Sequence, residues 1–298
     1  MAAGNTPAGK KTVAKPSSSR PGSTRQKLGQ HFLIDRSAAE RIVAALGDVS
    51  KKQVVEIGPG KGILTDLLVQ RAAHVAAIEL DRVLGAQLRL RYSGRSNLEI
   101  IEGDVLGIDF ARLVGRDSGT AGDTRIHRAP KAQVIGNLPY YITSPILMHL
   151  FAQHQHIEQI VIMVQREVAD RVAAQSGGRE YGLLSAVTQL FAKTENLFTL
   201  PPGAFSPQPK VHSSVLRLTI APQVEKLGVD PGAFQEFLKL AFAHKRKTLL
   251  NNLKPRYGEK GDKEIRAAIA AAKLRPDVRA EAVELEKMAK LFRGLTKE

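Results

Sequence analysis

Short apolar runs and stretches with helical periodicity alternate along the chain from Leu28 to about Ile220. Five runs are predicted to be strands, and the first of them is typical of a buried strand: Gln53–Ile57, His74–Glu79, Leu98–Glu102, Gln133–Ile135 and Ile157–Val164. Four stretches that follow strands carry apolar residues at helical spacing: Ile63–Arg71, Arg82–Tyr92, Ile146–Gln153 and Glu167–Gln175. This alternation predicts an α/β fold in which helices cover both faces of a parallel sheet.

Three segments depart from this alternation. Val211–Thr219 alternates loosely after a Pro-rich turn, which predicts a late, antiparallel strand. Residues 111–131 are polar and Gly-rich, so we expect a long surface loop there. From about Val224 onward the spacing is helical with no strand candidate, which predicts a small C-terminal all-helical domain. We therefore divide the folded chain into a sheet domain, 28–221, and a helical domain, 222–298.

The first 27 residues form a separate compositional segment. They hold six Lys and Arg, no acidic residue, and many Pro, Gly and Ser. Because so little of this segment is apolar, we expect a disordered basic tail. A cleaved transit peptide is the alternative, since such peptides also lack acidic residues. Pro7, Pro16 and Pro21 interrupt the amphipathic helix that import requires, and this favours the tail.

The charge balance indicates a polyanionic partner. The chain has 44 Lys and Arg against 29 Asp and Glu, a formal net charge of +15. Cationic side chains that neutralise phosphates release condensed counterions, which favours binding to nucleic acid. A merely solvated basic surface is the alternative that charge alone leaves open.

Composition also excludes several classes of protein. The chain has no Cys, so disulfides, thiolate metal sites and a Cys nucleophile are excluded. Its eight His residues form no metal-binding sequence motif, and we expect no metal. No apolar run approaches the ~18–20 residues that span a bilayer, so we expect no membrane partner and a cytoplasmic location.

A glycine-rich turn follows the first predicted strand. Gly58, Gly60 and Gly62 lie between that strand and the next helix, where backbone N–H groups are available to a ligand. By itself, such a sequence is also compatible with a tight strand-to-helix turn that binds no ligand. Glu79 ends the second strand about 20 residues on, where an acid can accept hydrogen bonds from ribose hydroxyls.

Two cofactor classes fit an acid at this position, NAD and S-adenosyl-L-methionine. The glycine run is G-x-G-x-G preceded by an acid, whereas dinucleotide sites carry G-x-G-x-x-G. Asp104 follows the third strand, where it could accept a hydrogen bond from the adenine amine of a cofactor. Both features favour S-adenosyl-L-methionine, and the strand ends should converge on one crevice.

The segment Asn137–Tyr140 (NLPY) follows the fourth predicted strand and carries a specific chemistry. The N6 lone pair of adenine is delocalised into the ring and is a poor nucleophile. If the side-chain oxygen of Asn137 and the main-chain oxygen of Leu138 accept both N6 hydrogens, the nitrogen can pyramidalise toward a methyl donor. Pro139 restricts the turn, and Tyr140 offers a flat face for an extruded base. The segment predicts an adenine N6-methyltransferase.

Further segments between about residues 27 and 253 carry a family resemblance. They are Gly29–Leu33 (GQHFL), Glu56–Gly60, Ile78–Asp81, Asp104, Gly136–Tyr140, Phe205–Val211 (FSPQPKV) and His244–Leu253 (HKRKTLLNNL). Through them the chain resembles the ribosomal RNA adenine N6,N6-dimethyltransferases, and most closely their bacterial small-subunit (16S) branch. The resemblance implies a Rossmann-like class I methyltransferase sheet plus the helical domain.

The resemblance also implies roles for individual residues. His31 and Leu33 would lie over the cofactor, although the family often has Asn where His31 stands; a His can donate a similar hydrogen bond. Gly58 would contact the methionine end of the cofactor beside Gly60, Glu79 its ribose, Asp104 its adenine, and Asn137 the methyl group. Phe205 would stack on the target base opposite Tyr140.

The implied substrate is a pair of adjacent adenosines in a hairpin near the 3′ end of small-subunit RNA, within an assembling pre-30S particle. We expect a monomer. Lys245, Arg246 and Lys247 follow a predicted helix and could contact phosphates, with added charge from Arg166, Arg171 and Arg179. A merely solvated helix end is the alternative interpretation of that run.

Three other functions are weighed against this one. The nearest is a 23S rRNA adenine dimethyltransferase of the macrolide-resistance type, against which Leu138 and the HKRKTLLNNL segment count. The second is a non-catalytic RNA-binding assembly factor, and the intact acids and Asn137 count against it. The third is an NAD-dependent oxidoreductase, which would leave the NLPY segment without a role.

Overall fold

The sheet at the centre of the fold is built mainly from parallel strands. The computed structural model describes Met1 and residues 30–115, 131–258 and 261–296. Within these ranges seven strands form one sheet and two short strands form a second. The strands are β1 (Phe32–Leu33), β2 (Gln53–Ile57), β3 (His74–Glu79), β4 (Leu98–Glu102), β5 (Ala132–Asn137), β6 (Ile157–Gln165), β7 (Ala192–Leu200), β8 (Phe205–Ser206) and β9 (Ser213–Ile220).

The large sheet has the order β4-β3-β2-β5-β6-β9-β7. Strands β2 to β6 pair in parallel, whereas β9 pairs antiparallel with both β6 and β7. The carboxyl ends of the parallel strands therefore share one edge, the edge at which ligands bind in open α/β sheets.

Helices cover both faces of this sheet and continue to the end of the described chain. They are α1 (Arg36–Ala44), α2 (Thr65–Leu68), α3 (Arg82–Arg91), α4 (Phe110–Gly115), α5 (Thr143–Ala152), α6 (Arg166–Ala173), α7 (Leu183–Phe191), α8 (Val224–Leu227), α9 (Pro231–Ala241), α10 (Leu249–Tyr257), α11 (Asp262–Ala271) and α12 (Leu285–Thr296). The α/β class, the parallel sheet and its helical cover are confirmed.

The strand predictions hold closely. The first three predicted strands have the observed bounds, and β5 and β6 extend their predictions by one to three residues. The late strand is present as β9, and its antiparallel direction is confirmed. Beyond β9 the described residues contain helices and no strand, as the spacing predicted.

The prediction of a helix over Ile63–Arg71 is wrong in extent. The α-helix there covers only Thr65–Leu68. Gly60 and Gly62 have positive φ values of 59° and 84°, so the turn continues past the point where the apolar periodicity begins. Apolar spacing marks which residues are buried, but it does not report where the backbone enters the helix.

Strand β7 and the two-stranded sheet of β1 and β8 were not predicted. β7 is an edge strand with mostly polar, partly exposed residues, so it lacks a buried run. β1 and β8 contain two residues each, too few to show any period, and they pair Phe32 with Ser206 and Leu33 with Phe205. β7 is held by its pairing with β9, and β1 by its pairing with β8, so neither strand could be recognised from its own residues.

Two hydrophobic clusters in the described chain hold these layers together. Neighbouring residues of β2 point to opposite faces, Val54 into the cluster with α1 and Val55 into the cluster with α5 and α7. The second of these clusters continues without interruption into the C-terminal helices through residues such as Phe237 and Phe292.

The domain division stays a prediction. The described residues from His31 onward form one compact unit, in which α9 and α12 pack on α7. The predicted tail, 1–27, and most of the predicted loop, 111–131, lie outside the described residues. The start of that loop is helical, because α4 ends at Gly115. No helix in the described part of the chain has the length and apolar character needed to cross a membrane.

Candidate active site

The glycine turn lies at the carboxyl end of β2 and contacts the neighbouring strand through Glu79. Gly58, Gly60 and Gly62 all have positive φ, a backbone conformation that residues other than glycine rarely adopt. The Gly60 N–H donates to Glu79 Oε2 at 2.9 Å. A Cβ on Gly60 would lie 2.9 Å from Cδ1 of Phe32, so β1 packs directly against the turn.

Glu79 is a buried carboxylate, 3% exposed, at the end of β3. Its second oxygen accepts a hydrogen bond of 2.9 Å from the Asp81 N–H. Burial raises the pKa of Glu79, while the N–H donors of Asp81 and Gly60 oppose that shift. Each carboxylate oxygen has two lone pairs, so the group retains acceptor capacity for a hydroxyl.

Asp104 lies beyond the end of β4, the strand next to β3. Its Oδ1 accepts from the Leu106 N–H at 3.0 Å and caps the 3₁₀ turn Val105–Gly107. The side chain is exposed at the same sheet edge as Glu79 and the glycine turn. The structure therefore brings together the three features that the sequence predicted for a nucleoside-containing cofactor.

Glu56 is a second buried acid beneath the turn, and its sequence position alone assigns it no separate role. It is 1% exposed, and its Oε2 accepts a 2.6 Å hydrogen bond from Thr65 Oγ1. Burial raises its pKa to about 8, and nearby Glu79 adds to the shift, against the opposing Thr65 hydrogen bond. The acid preceding the first glycine was visible in the sequence, but its protonation depends on burial.

Asn137 ends β5, the strand that pairs with β2 on the side away from β3. Ile57 and Gly136 are paired in the register, and a Cβ at Gly136 would lie only 2.6 Å from the Ile57 oxygen. This close approach requires glycine. A Cβ on Gly58 would lie 3.8 Å from the Asn137 main-chain oxygen. The NLPY segment and the glycine turn are therefore direct neighbours.

The rest of the NLPY segment is held by main-chain bonds. Leu138 is buried, and its N–H donates to the Met163 oxygen of β6 at 3.1 Å. The Pro139 oxygen accepts from the Ile142 N–H at 3.2 Å and from Thr143 Oγ1 at 3.1 Å. These bonds fix the turn that leads from β5 into α5.

His31 contacts this segment in two ways. Its main-chain oxygen accepts a 2.9 Å hydrogen bond from Asn137 Nδ2. Its ring stacks on Tyr140, with ring centroids 5.6 Å apart and an interplanar angle of 29°. The ring nitrogen Nδ1 lies 2.8 Å from the Pro207 oxygen, and because a carbonyl oxygen only accepts, Nδ1 carries the proton.

Tyr140 is also held at its hydroxyl, by a residue that the sequence did not single out. The Tyr140 Oη and the Ser213 Oγ are 2.8 Å apart. Burial raises the pKa of Tyr140, and the Ser213 hydrogen bond opposes part of that shift, so the phenol is neutral near pH 7. No sequence signal connects position 140 with position 213.

Leu33 and Phe205 pack together in the small sheet of β1 and β8. Both side chains belong to the hydrophobic cluster on the α1 side, and Phe205 is only 1% exposed. The ring of Phe205 is thus a core residue in this structure, and His31 is the ring that stacks on Tyr140. Base stacking by Phe205 stays a prediction.

Lys245, Arg246 and Lys247 lie in an exposed turn between α9 and α10. Asn252 anchors the start of this turn, because its Nδ2 donates to the oxygens of Ala241 and His244 at 2.7 and 3.2 Å. The Lys245 ammonium donates to the Arg179 oxygen at 3.2 Å. The run is therefore presented to solvent on an ordered turn.

The three arginines predicted to add positive charge are less available than the sequence suggested. Arg166 lies within 4.0 Å of Asp170, Arg171 pairs with Glu167, and Arg179 lies 3.7 Å from Glu180. Of the three, Arg166 borders a mixed-charge cleft at the end of β6 and the start of β9, lined by Gln165, Arg166, Glu167, Asp170, Glu180, Lys210, Val211 and His212.

A metal ion has no candidate site in the described ranges, which contain no group of three or more His, Cys, Asp or Glu side chains that could hold one.

Comparisons with known proteins are consistent along almost the whole chain. Residues 22–297 match the family model described as ribosomal RNA adenine dimethylase. A Koribacter versatilis protein named ribosomal RNA small subunit methyltransferase A is 53% identical over 285 residues, 96% of this chain and 99% of that protein. The Acidobacterium capsulatum protein of the same name is 49% identical over 92% of each chain.

Solved structures show the same fold. The crystal structure of the 23S rRNA methyltransferase ErmE has a TM-score of 0.63 and 25% identity, over 89% of this chain and all of that one. A dimethyladenosine transferase from Plasmodium falciparum has a TM-score of 0.65 and 24% identity, over 88% of this chain and 96% of that one. The latter likeness bears on the fold alone.

Proposed function

The chain belongs to the ribosomal RNA adenine dimethylase family, and from that premise we propose that it dimethylates the N6 amines of two adjacent adenosines in a hairpin near the 3′ end of 16S rRNA. The methyl donor is S-adenosyl-L-methionine. The observation that carries the proposal is the position of Asn137, at the end of β5 beside the glycine turn, with its amide nitrogen bound to His31.

Sequence relatives support the small-subunit RNA as substrate. The two relatives at 53% and 49% identity both carry a small-subunit name. The 23S enzyme ErmE shares the fold at 25% identity. Members of this fold family thus act on both RNAs, and the much higher identity to the small-subunit group favours 16S over 23S RNA.

The residues at the sheet edge fit S-adenosyl-L-methionine. The positive-φ glycine turn leaves room for a ligand beside β2, Glu79 has acceptor capacity for ribose hydroxyls, and Asp104 is exposed for the adenine amine. His31 and Leu33 of the β1 segment would cover the cofactor, because β1 packs against Gly60 through Phe32. When bound, this cofactor supplies an electrophilic methyl group on a positively charged sulfur.

Asn137 and Leu138 prepare the amine for the transfer. The nitrogen of the Asn137 amide is engaged by His31, so its oxygen is the atom that accepts from the adenine amine. With the Leu138 main-chain oxygen accepting the second hydrogen, the nitrogen lone pair is withdrawn from the ring and becomes nucleophilic. The proton leaves only after the nitrogen has become cationic, so a strong general base is not required.

Orientation then supplies most of the catalysis. Holding two bound reactants in line is worth up to ~7–11 kcal/mol. Tyr140 contributes the flat surface on which the extruded adenine stacks, and its neutral phenol keeps the surface uncharged.

The RNA would be held outside the pocket by Lys245, Arg246 and Lys247. These side chains are exposed, and contacts to phosphates position an RNA without reading its sequence. We place the helical region 222–298 in this role and expect a monomer that acts on a pre-30S particle in the cytoplasm.

The test is transfer of tritium from labelled S-adenosyl-L-methionine to unmethylated 30S subunits, with 50S subunits in parallel and with mapping of the labelled nucleotides. We expect up to four methyl groups on two neighbouring adenosines of 16S RNA. Labelling of 23S RNA in place of 16S RNA, or of a base other than adenine, would overturn the proposal.

A further inference from the structure

We propose that Ser213 is a positioning residue for methyl transfer, because its hydroxyl holds the phenol of Tyr140 and so fixes the position of the ring on which the target adenine stacks. The inference rests on the proposed function of the same site. Ser213 would touch neither the cofactor nor the reacting atoms, and it would act only through Tyr140.

Ser213 is a rigid anchor. It is fully buried and is the first residue of β9, where it pairs with Gln165 of β6 and with Leu200 of β7. A side chain on a strand that is paired on both sides has little freedom to move, which makes it a precise support for a functional group. Through the 2.8 Å hydrogen bond, this fixed side chain also restricts the position of the Tyr140 hydroxyl.

Tyr140 needs such an anchor because the main-chain bonds that fix its turn do not hold its side chain. The residue lies in the turn between β5 and α5, outside any helix or strand, and its side chain is only partly buried. A side chain in this setting can swing about χ1 unless its far end is held. The hydroxyl is the end farthest from the backbone, and Ser213 binds there.

The ring of His31 adds a second constraint on Tyr140. It stacks on Tyr140, and its Nδ1–H is bound to the Pro207 oxygen. The hydroxyl contact fixes the tip of the Tyr140 ring and the stacking contact limits its tilt. The two anchors come from opposite ends of the domain sequence, and together they set the ring before RNA arrives.

The orientation of the ring matters because the reaction depends on alignment. A base that stacks on a tilted ring presents its amine away from the line of transfer, and a misplacement of about 1 Å can reduce the rate 10²-fold. Loss of only one of the two contacts that hold Tyr140 should reduce the rate by less than this. We expect roughly a tenfold loss in kcat, equivalent to about 1.4 kcal/mol in the activation barrier.

The neighbouring residue Ser214 provides a matched control. It is also fully buried on β9, but successive side chains of a strand point to opposite faces. Its Oγ lies 3.3 Å from Thr199 Oγ1 of β7 and has no contact with Tyr140 among those that the structure describes. Removal of either hydroxyl therefore disturbs the same strand, and only one removal releases the tyrosine.

The experiment compares Ser213→Ala, Ser214→Ala, Tyr140→Phe and the double variant Ser213→Ala/Tyr140→Phe. For each protein, kcat and KM for unmethylated 30S subunits, the Kd for S-adenosyl-L-methionine and the Tm are measured. Ser213→Ala and Tyr140→Phe should each lower kcat roughly tenfold, and the double variant should lose no more than either single variant. Cofactor affinity should stay within about twofold of the unaltered enzyme in all four proteins, and Ser214→Ala should keep its kcat.

Three results would overturn the inference: an unchanged kcat in Ser213→Ala, an equal loss in Ser214→Ala, or losses that multiply in the double variant. If Ser213→Ala does not fold, Tyr140→Phe removes the same hydrogen bond from the more exposed side, and its unchanged kcat would equally overturn the inference. The unaltered enzyme separates the two claims. If it does not methylate 30S subunits, the proposed function fails, and if it does while Ser213→Ala matches it, only the inference fails.

Discussion

The side-chain amide of Asn137 donates to the main-chain oxygen of His31 at 2.9 Å, across 106 positions of the chain. Only the nitrogen of an amide can donate, so this contact determines which end of the side chain faces away from His31. The oxygen is left as the acceptor, which is the atom the proposed chemistry needs. His31, directly before β1, thus orients the side chain of Asn137 at the end of β5.

Replacement of Asn137 by alanine should abolish most methyl transfer without loss of the cofactor. The variant loses the amide oxygen that accepts from the target amine, and we expect kcat to fall on the order of 10²–10³-fold. The Kd for S-adenosyl-L-methionine should change little, because the glycine turn, Glu79 and Asp104 are retained. Single-turnover transfer and calorimetric titration measure the two quantities.

A matched control for this variant is Asn97→Ala. Asn97 also donates its amide to main-chain oxygens, those of Val69 and Ala72, but it precedes β4 at the opposite edge of the sheet. It should lose stability and keep its kcat. Full turnover by Asn137→Ala would remove Asn137 from the mechanism.

Substitution of Gly60 by alanine should weaken cofactor binding beyond the effect of backbone strain. The position has φ of 59°, and a Cβ there would lie 2.9 Å from the Phe32 ring, so β1 must move. We expect a loss of affinity for S-adenosyl-L-methionine on the order of tenfold or more, measured by titration.

Gly47→Ala is the control for that strain. Gly47 also has a positive φ, 77°, but nothing lies within 4 Å of its added Cβ. Both variants should lose about 1–2 kcal/mol of stability to the left-handed conformation. Equal cofactor affinity in the two variants would show that the contact between β1 and the turn has no part in binding.

Neutralisation of the exposed turn, by Lys245→Gln, Arg246→Gln and Lys247→Gln together, should weaken RNA binding and reduce its salt dependence. Each phosphate contact that is lost should lower the slope of log K against log salt by about 0.7–0.9. At saturating RNA, kcat should be retained. Filter-binding titrations from low to high salt measure the slope.

The comparison protein for that series carries Lys51→Gln, Lys193→Gln and Lys226→Gln. Lys51 and Lys193 lie at or just before the starts of β2 and β7, and Lys226 follows β9, so all three belong to the edge opposite the glycine turn. The change in net charge is the same. If both triple variants show the same slope, the RNA-binding surface lies elsewhere or the effect is only one of total charge.

Glu56 should make folding stability depend on pH. Burial raises its pKa from 4.5 to about 8, so between these values the folded protein keeps a proton that the unfolded chain loses. The resulting stability is fully present below pH 4.5 and declines, by at most about 1.4 kcal/mol per pH unit, as the pH rises to about 8. Glu56→Gln lacks this titration and should flatten that decline in denaturant unfolding.

Glu195→Gln should retain the decline. The pKa of the exposed Glu195 is lowered by its hydrogen bond to Arg217, so this carboxylate is ionised in the folded and unfolded states alike above pH 5. A Glu56→Gln variant that keeps the full pH dependence would show that Glu56 is ionised in the folded protein.

The sequence alone predicted the bounds of the strands that have continuous apolar runs. β2 and β3 have the bounds that the apolar runs predicted, because a strand buried on both faces is apolar at successive positions. β4 also has its predicted bounds, although it is an edge strand whose residues are only partly buried or exposed. The glycine turn, Glu79, Asp104 and the NLPY segment were also recognisable, since each follows a strand directly and the ends of parallel strands converge.

Tertiary structure alone decided which distant groups meet at the site. The contacts of Asn137 with His31, of Tyr140 with Ser213 and of Gly60 with Glu79 join residues that no periodicity relates. The burial of Phe205 and the raised pKa of Glu56 have the same origin, because solvent exclusion at one position depends on segments that arrive from elsewhere in the chain. Sequence patterns record which face of an element is apolar, whereas strand pairing and side-chain packing determine which groups that face encloses.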